Sequence, residues 1–253
     1  MLRDFGRQRF DIIIQAGQSN SEGYGFGPVE KPYEPSDRIW YLNGDLTIST
    51  AVEKVTLNDI QSNFSLTFAR EYLDSGLLEE GRDLLIIRSA VGGTGFLDNR
   101  WGPKDDLYLR MLNMTDTALA LSDENHIKAL LWHQGETDAT LNSSYRTYYD
   151  NLMGFYRSVA ERYGVPDLPL IAGDFVQDWK SKNAAICEPV ISAARDVCRD
   201  CGGRFVETDG LKSNMQELDH HPFGWEDDIH FSRRSVYELG RRYFAAYRQI
   251  TGR

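Results

Sequence analysis

Short apolar runs alternate with longer stretches of helical spacing along the whole chain. The runs occupy residues 11–16, 83–89, 127–132, 168–172 and 204–206. Runs this short, bounded by turn-forming residues, predict buried strands rather than helices. Between them apolar residues recur three and four positions apart, the spacing of one helix face. Residues 64–77 carry Phe68, Tyr72 and Leu73, and residues 106–122 carry Leu109, Leu112 and Leu119. Residues 144–163 carry Tyr148, Leu152, Phe155 and Val159, and residues 184–199 carry Ile191 and Ala194. The last such stretch, 232–247, carries Val236, Leu239, Tyr243 and Phe244, with Ser232 as its expected cap. Five strands separated by helices predict parallel pairing, because each crossover helix returns the chain to the same end of the sheet. Right-handed crossovers then give an α/β fold, a three-layer α/β/α sandwich around a five-stranded parallel sheet. The polar stretches 23–53 and 212–225 read as long loops, where substrate contacts accumulate.

No linker or repeat divides the 253 residues, so residues 1–253 read as a single domain able to bury a large core. A net charge of −10 argues against nucleic acid or an anionic membrane as partner, since both need a basic surface. A neutral sugar ester would be indifferent to that charge. The first residues lack an apolar segment before a small-residue cleavage site, which predicts a cytoplasmic protein. Association into homo-oligomers is left open. Three cysteines, Cys187, Cys198 and Cys201, fit a reducing compartment. Cys198 and Cys201 have redox-motif spacing but lie in a helical stretch, so free thiols near a helix end are expected.

Three motifs follow predicted strands directly, at the sheet edge where α/β proteins bind ligands. Gly17-Gln18-Ser19-Asn20 comes after the first run and puts a hydroxyl on a strand-to-helix turn. Ser19 read alone suits a helix N-cap better than a nucleophile. Ser21 also stands where a nucleophile elbow would have its second glycine. Gly92-Gly93-Thr94-Gly95 follows the second run and can aim a backbone N–H at a bound group. It lacks the Lys-Ser/Thr ending of a phosphate-binding loop, and a simple tight turn is the competing reading. Trp101 downstream suits either a sugar ring or the core. His133-Gln134-Gly135-Glu136 follows the third run. There Gln134 can donate to an oxyanion and Glu136 can orient a histidine.

Near the end, Asp227 and His230 stand three apart, within reach of a carboxylate–imidazole bond that leaves Nε2 free as a base. His126 enters a strand and reads as structural. Asp219, His220, His221, Asp227, Asp228 and His230 offer a rival reading as metal ligands, one that leaves the serine and glycine segments unexplained.

Taken in order, Gly17-Gln18-Ser19-Asn20, Gly92-Gly93-Thr94, His133-Gln134-Gly135-Glu136 and Asp227-x-x-His230 resemble the four blocks of the SGNH hydrolases. More narrowly, the set is similar to carbohydrate esterase family 6 and sialate O-acetylesterase-like domains. The resemblance runs from Ser19 to His230 and implies a flavodoxin-like fold and hydrolysis of O-acetyl groups on carbohydrates, acetylated xylan fragments or sialates among them, without metal or cofactor. A non-catalytic carbohydrate-binding domain on the same fold is the alternative. By position it implies Ser19 as nucleophile, His230 as base and Asp227 as the acid, with Glu136 the alternative carboxylate. The Ser19 N–H, the Gly93 N–H and the Gln134 amide would form the oxyanion hole, and Gln18, Asn20, Thr94 and Trp101 would meet the substrate. Gln134 replaces the asparagine of the general pattern, as in the carbohydrate esterase subgroup.

Overall fold

The computed structural model describes residues 5, 6, 8–57 and 59–252. From the N-terminus the elements are β1 (Arg9–Gly17), α1 (Ser19–Glu22), β2 (Ile39–Leu42), β3 (Ile48–Thr50), β4 (Lys54–Val55), β5 (Ile60–Gln61) and α2 (Phe64–Asp74). Then come β6 (Arg82–Arg88), α3 (Asp106–Ala120), β7 (His126–His133), α4 (Glu136–Thr140), α5 (Tyr145–Tyr163) and β8 (Leu170–Gly173). The chain ends with α6 (Gln177–Lys182), α7 (Ala184–Asp200), β9 (Arg204–Val206), α8 (Asn214–Glu217) and α9 (Arg233–Thr251).

The main sheet has the order β3-β2-β6-β1-β7-β8-β9. All neighbours pair in parallel except β2 with β3. The five expected strands are β6, β1, β7, β8 and β9, in the doubly wound order 2-1-3-4-5 of the flavodoxin type. The expectation of five strands is corrected to seven, because β2 and β3 arise inside the stretch 23–53 that reads as loop. Ile39-Trp40-Tyr41-Leu42 is four residues long and flanked by polar sequence, so only its pairing with β6 reveals it. The stretch 212–225 likewise contains α8, closed by a capping box between Ser213 and Gln216.

Alternate side chains of each central strand enter opposite layers, the two-residue period of a pleated strand. Ile12, Ile14, Leu85, Leu130 and Trp132 pack with Met111, Phe155 and Val197 from α3, α5 and α7. Ile13, Leu84, Ile86 and Leu131 pack on the other face with Phe64, Phe68, Leu239 and Tyr243 from α2 and α9. Both faces of the sheet are therefore covered, which makes the central strands continuous apolar runs. Ser232 caps α9 as expected, accepting the Ser235 N–H. The three cysteines are free thiols, with Cys187 and Cys198 buried in α7. No helix among the described residues is long and apolar enough to cross a membrane.

Candidate active site

The site forms where β1 and β7 end side by side. Gly17 has φ 127°, and a Cβ there would overlap the His133 carbonyl, so only glycine lets the two strand ends close up. Gln18 N–H donates to that carbonyl at 3.0 Å. Gln18 is the N-cap of α1 and Ser19 its first residue, so Ser19 is not the cap that its type suggested. Ser19 is nearly buried and lines a cleft of about 580 Å³ together with Gly92, Gly93, Glu136, Trp225 and His230.

One residue ties the two distant halves together. Asn20 Nδ2 donates to Ile229 O at 2.9 Å, and its Oδ1 accepts the Phe231 N–H at 3.2 Å. The residue after Ser19 thus clamps both neighbours of His230. Nδ2 also donates to Glu136 Oε1 at 2.7 Å. Asn20 is fully buried and spent on these bonds, which corrects its expected contact with substrate.

His230 Nδ1 lies 2.8 Å from Asp227 Oδ1, which also accepts the His230 backbone N–H at 3.1 Å. The other Asp227 oxygen accepts Asn214 Nδ2 at 2.8 Å and has His221 Nε2 3.0 Å away. Burial by itself would raise the Asp227 pKa. The bonds from His230 and Asn214 outweigh it and hold the carboxyl below its ordinary range. The ring of His230 stacks on Tyr24, with centroids 4.8 Å apart and planes inclined by 21°. Among the described residues Nε2 of this ring makes no hydrogen bond, and the Ser19 hydroxyl in the same cleft makes none either. Glu136 lines the cleft, but its Oε1 bond goes to Asn20 and its buried Oε2 has no partner among the described residues. Burial raises its pKa against the pull of Asn20.

The Gly92–Gly93 turn faces the cleft with Gly93 at φ 68°. Glu22 Oε2 holds it by accepting the Gly92 N–H at 2.7 Å. Thr94 is turned away: its hydroxyl donates to Val91 O at 2.7 Å and accepts Trp101 Nε1 at 3.0 Å. Trp101 is fully buried edge-on to Trp132, so its assignment and that of Thr94 to the substrate are both corrected. Gln134 is corrected too. Its Nε2 donates to Asp138 Oδ2 at 2.7 Å and approaches Thr94 O and Gln18 Oε1 at 3.2 Å each, while Oε1 accepts the Tyr148 hydroxyl. The amide is committed inside the protein and ties the glycine turn to the end of β7. Gln18 does line the cleft, with Oε1 accepting the Thr137 N–H at 3.1 Å.

Sequence reasoning missed Glu22, Tyr24, Asn214 and Trp225, and read His221 only as a metal ligand. Trp225, half exposed in a polar loop, carried a visible signal: a large apolar ring with no periodic neighbours. The rival metal set is divided: His221 and His230 meet on Asp227, each already paired with one of its oxygens, and the other members lie elsewhere. Asp228 pairs with Lys182 at 2.9 Å, and Asp219 and His220 are exposed.

Compared with known proteins, residues 9–249 match the family described as carbohydrate esterase, sialic acid-specific acetylesterase. An Arabidopsis thaliana protein named probable carbohydrate esterase is 30% identical over 225 residues, 79% of this chain and 82% of that one. The crystal structure of NanS superposes with a TM-score of 0.80 at 19% identity, covering 97% of this chain and 98% of that one. A lipase/acylhydrolase from Enterococcus faecalis gives 0.51 at 15% identity, covering 97% and 96%. At such identities these structures show a shared fold, the α/β architecture of the SGNH hydrolases.

Proposed function

The chain belongs to the carbohydrate esterase family of sialic acid-specific acetylesterases, and from that membership we propose a serine esterase that removes O-acetyl groups from a sugar. The observation that carries the reading is the convergence of Ser19 and an Asp227-oriented His230 on one cleft, through the Asn20 clamp.

In this reading the Ser19 oxygen attacks the acetyl carbonyl carbon while His230 Nε2 takes the hydroxyl proton. Negative charge gathers on the carbonyl oxygen, which faces the N–H groups of Ser19 and Gly93. The intermediate collapses, the sugar oxygen leaves and the imidazolium returns the proton to it. Water then attacks the acetyl-serine with His230 as base, releasing acetate and restoring the hydroxyl. Asp227, kept ionised, holds the imidazole with Nδ1–H toward itself and stabilises the imidazolium. Glu136 is a buried carboxyl beside this pair, bonded to Asn20. Trp225, half exposed at the cleft, offers the apolar face that a sugar ring stacks on and takes the place expected of Trp101. The sugar proposed is an acetylated xylan fragment or related oligosaccharide, with an O-acetyl sialate as the alternative.

Acetate release across a panel of acetylated sugars, with Ser19→Ala as control, tests this. Losing Ser19 or His230 should lower kcat by on the order of 10⁴-fold or more. A fluorophosphonate should add its mass to Ser19. Undiminished p-nitrophenyl acetate hydrolysis by Ser19→Ala would falsify the assignment.

A further inference from the structure

Two buried arginines and one partly exposed are matched by carboxylates. Arg82 Nε lies 2.7 Å from Asp11, Arg233 Nη2 lies 2.6 Å from Glu53, and Arg38 faces Asp83 at 3.6 Å. Arg88 and Arg110 have no ion pair and no side-chain hydrogen bond among the described residues. Arg110 Nε is also shielded from water and bonded to nothing. In a chain with 38 acidic and 28 basic residues, two such guanidiniums point to a ligand that supplies the missing acceptor.

Both line one cavity of about 240 Å³ at the carboxyl edge of the sheet. Arg88 ends β6, Asn43 and Gly44 follow β2, and Arg110 comes from α3. The Arg88 guanidinium lies 4.6 Å from the centroid of the Tyr41 ring, which orients it without using its N–H donors. Arg110 rests against Gly44, where a Cβ would come within 2.7 Å of Nη2. Glu22 is the carboxylate in this wall, and its Oε2 already accepts the Gly92 N–H. Two cations against one engaged anion leave the wall positive. Glu22 also lines the cleft that holds Ser19, so cavity and cleft share a side.

We propose that this cavity is an oxyanion subsite in which Arg88 and Arg110 bind a carboxylate or phosphate group. Planar guanidinium forks match both anions. The group comes either from the substrate, as an acidic sugar whose acetyl ester lies over Ser19, or from a free anion beside the cleft. The first source rests on the esterase reading, and the second does not.

Calorimetric titration of the Ser19→Ala protein with glucuronate and with inorganic phosphate reads the site without turnover. Binding is expected, and it should weaken about tenfold or more in Arg88→Gln and Arg110→Gln backgrounds whose circular dichroism is unchanged. Gly44→Ala displaces Arg110 without removing charge and should give a similar loss if an arginine variant fails to fold. Kinetics with Ser19 in place then separate the sources. A substrate-borne anion makes acetylated glucuronate a better ester than acetylated glucose. That preference disappears in the arginine variants while p-nitrophenyl acetate hydrolysis is unchanged. A free anion leaves the two esters equal but phosphate binding still dependent on the arginines. Absence of binding of either probe, or binding equal in the arginine variants, overturns the site. Anion binding with no esterase activity on any ester would count against the esterase reading and leave the subsite standing.

Discussion

Asp227 Oδ1 engages His230 twice, accepting the backbone N–H at 3.1 Å and facing Nδ1 at 2.8 Å. One carboxylate therefore sets both the turn that presents the imidazole and the tautomer that leaves Nε2 available. Glu136 does neither, since its Oε1 accepts from Asn20. Asp227→Asn should lower kcat by on the order of 10⁴-fold, the effect of forcing the wrong tautomer. Glu136→Gln should cost less than about tenfold, under ~1.4 kcal/mol of barrier. Steady-state rates with p-nitrophenyl acetate decide, and the opposite ranking would make Glu136 the acid.

Gln134 braces the Gly92–Gly93 turn from behind, its amide bonded to Asp138 and near Thr94 O. Asp138 receives its amide at 2.7 Å and accepts the N–H groups of Phe96 and Leu97 at 2.9 Å each. Gln134→Ala leaves a buried carboxylate oxygen short of a donor, so stability should fall by about 1–3 kcal/mol alongside the rate. Urea denaturation of the parent and the variant separates the two roles. A slow enzyme of unaltered stability would restore Gln134 to the oxyanion hole.

Trp101, expected at the substrate, is buried, and Trp225, of which nothing was expected, stands at the cleft. Trp225→Ala should raise KM for acetylated oligosaccharides by about tenfold, the worth of roughly 1.4 kcal/mol of ring stacking, and leave p-nitrophenyl acetate unaffected. Trp101→Ala should cost about 3–5 kcal/mol of stability through the cavity it opens. Unfolding midpoints and substrate dependence of the two variants check both statements. A stable Trp101→Ala protein with a raised KM would reverse them.

His133 makes the fold sensitive to acid. Its ring is wholly enclosed, with Nδ1 2.9 Å from the Tyr243 hydroxyl, and burial holds its pKa down to about 3. The unfolded chain binds that proton near pH ~6.5, so between those values the unfolded state carries the extra proton. Stability should therefore be fully present above about pH 6.5 and fall toward pH 3 by up to about 1.4 kcal/mol per unit. Asp227 adds a loss at the low end, as pH drops through its depressed folded pKa. His133→Asn, which keeps an N–H for Tyr243, should flatten the dependence of unfolding free energy between about pH 6 and about pH 4. Equal slopes in parent and variant would remove His133 from this account.

Much of the architecture was legible before any coordinates. Four of the five expected strands, β6, β1, β7 and β8, lie inside the sheet with both faces covered, so their runs stood out as nearly continuous. Their helices showed one stripe each, except that in α3 the expected Leu109 is exposed and the buried face runs through Tyr108, Met111, Leu112 and Met114. Ile39–Leu42 escaped because four residues at a sheet margin carry too little pattern, and pairing with β6 supplies the rest. The chemistry-bearing segments were legible too, since Asp227 and His230 sit within one turn and Ser19 follows a strand. Orientation was not.

Residue type and local spacing by themselves determined the α/β order, the two-layer core and the set of groups able to do acyl chemistry. Only the packed fold decided which of them face the cleft. Asn20 reaches Glu136 across 116 positions and Ile229 across 209, and such pairs depend on how strands and helices stack. The same stacking sends Trp101 inward, Trp225 outward and the Gln134 amide to Asp138, because a buried polar group must bond to whatever the tertiary arrangement brings beside it.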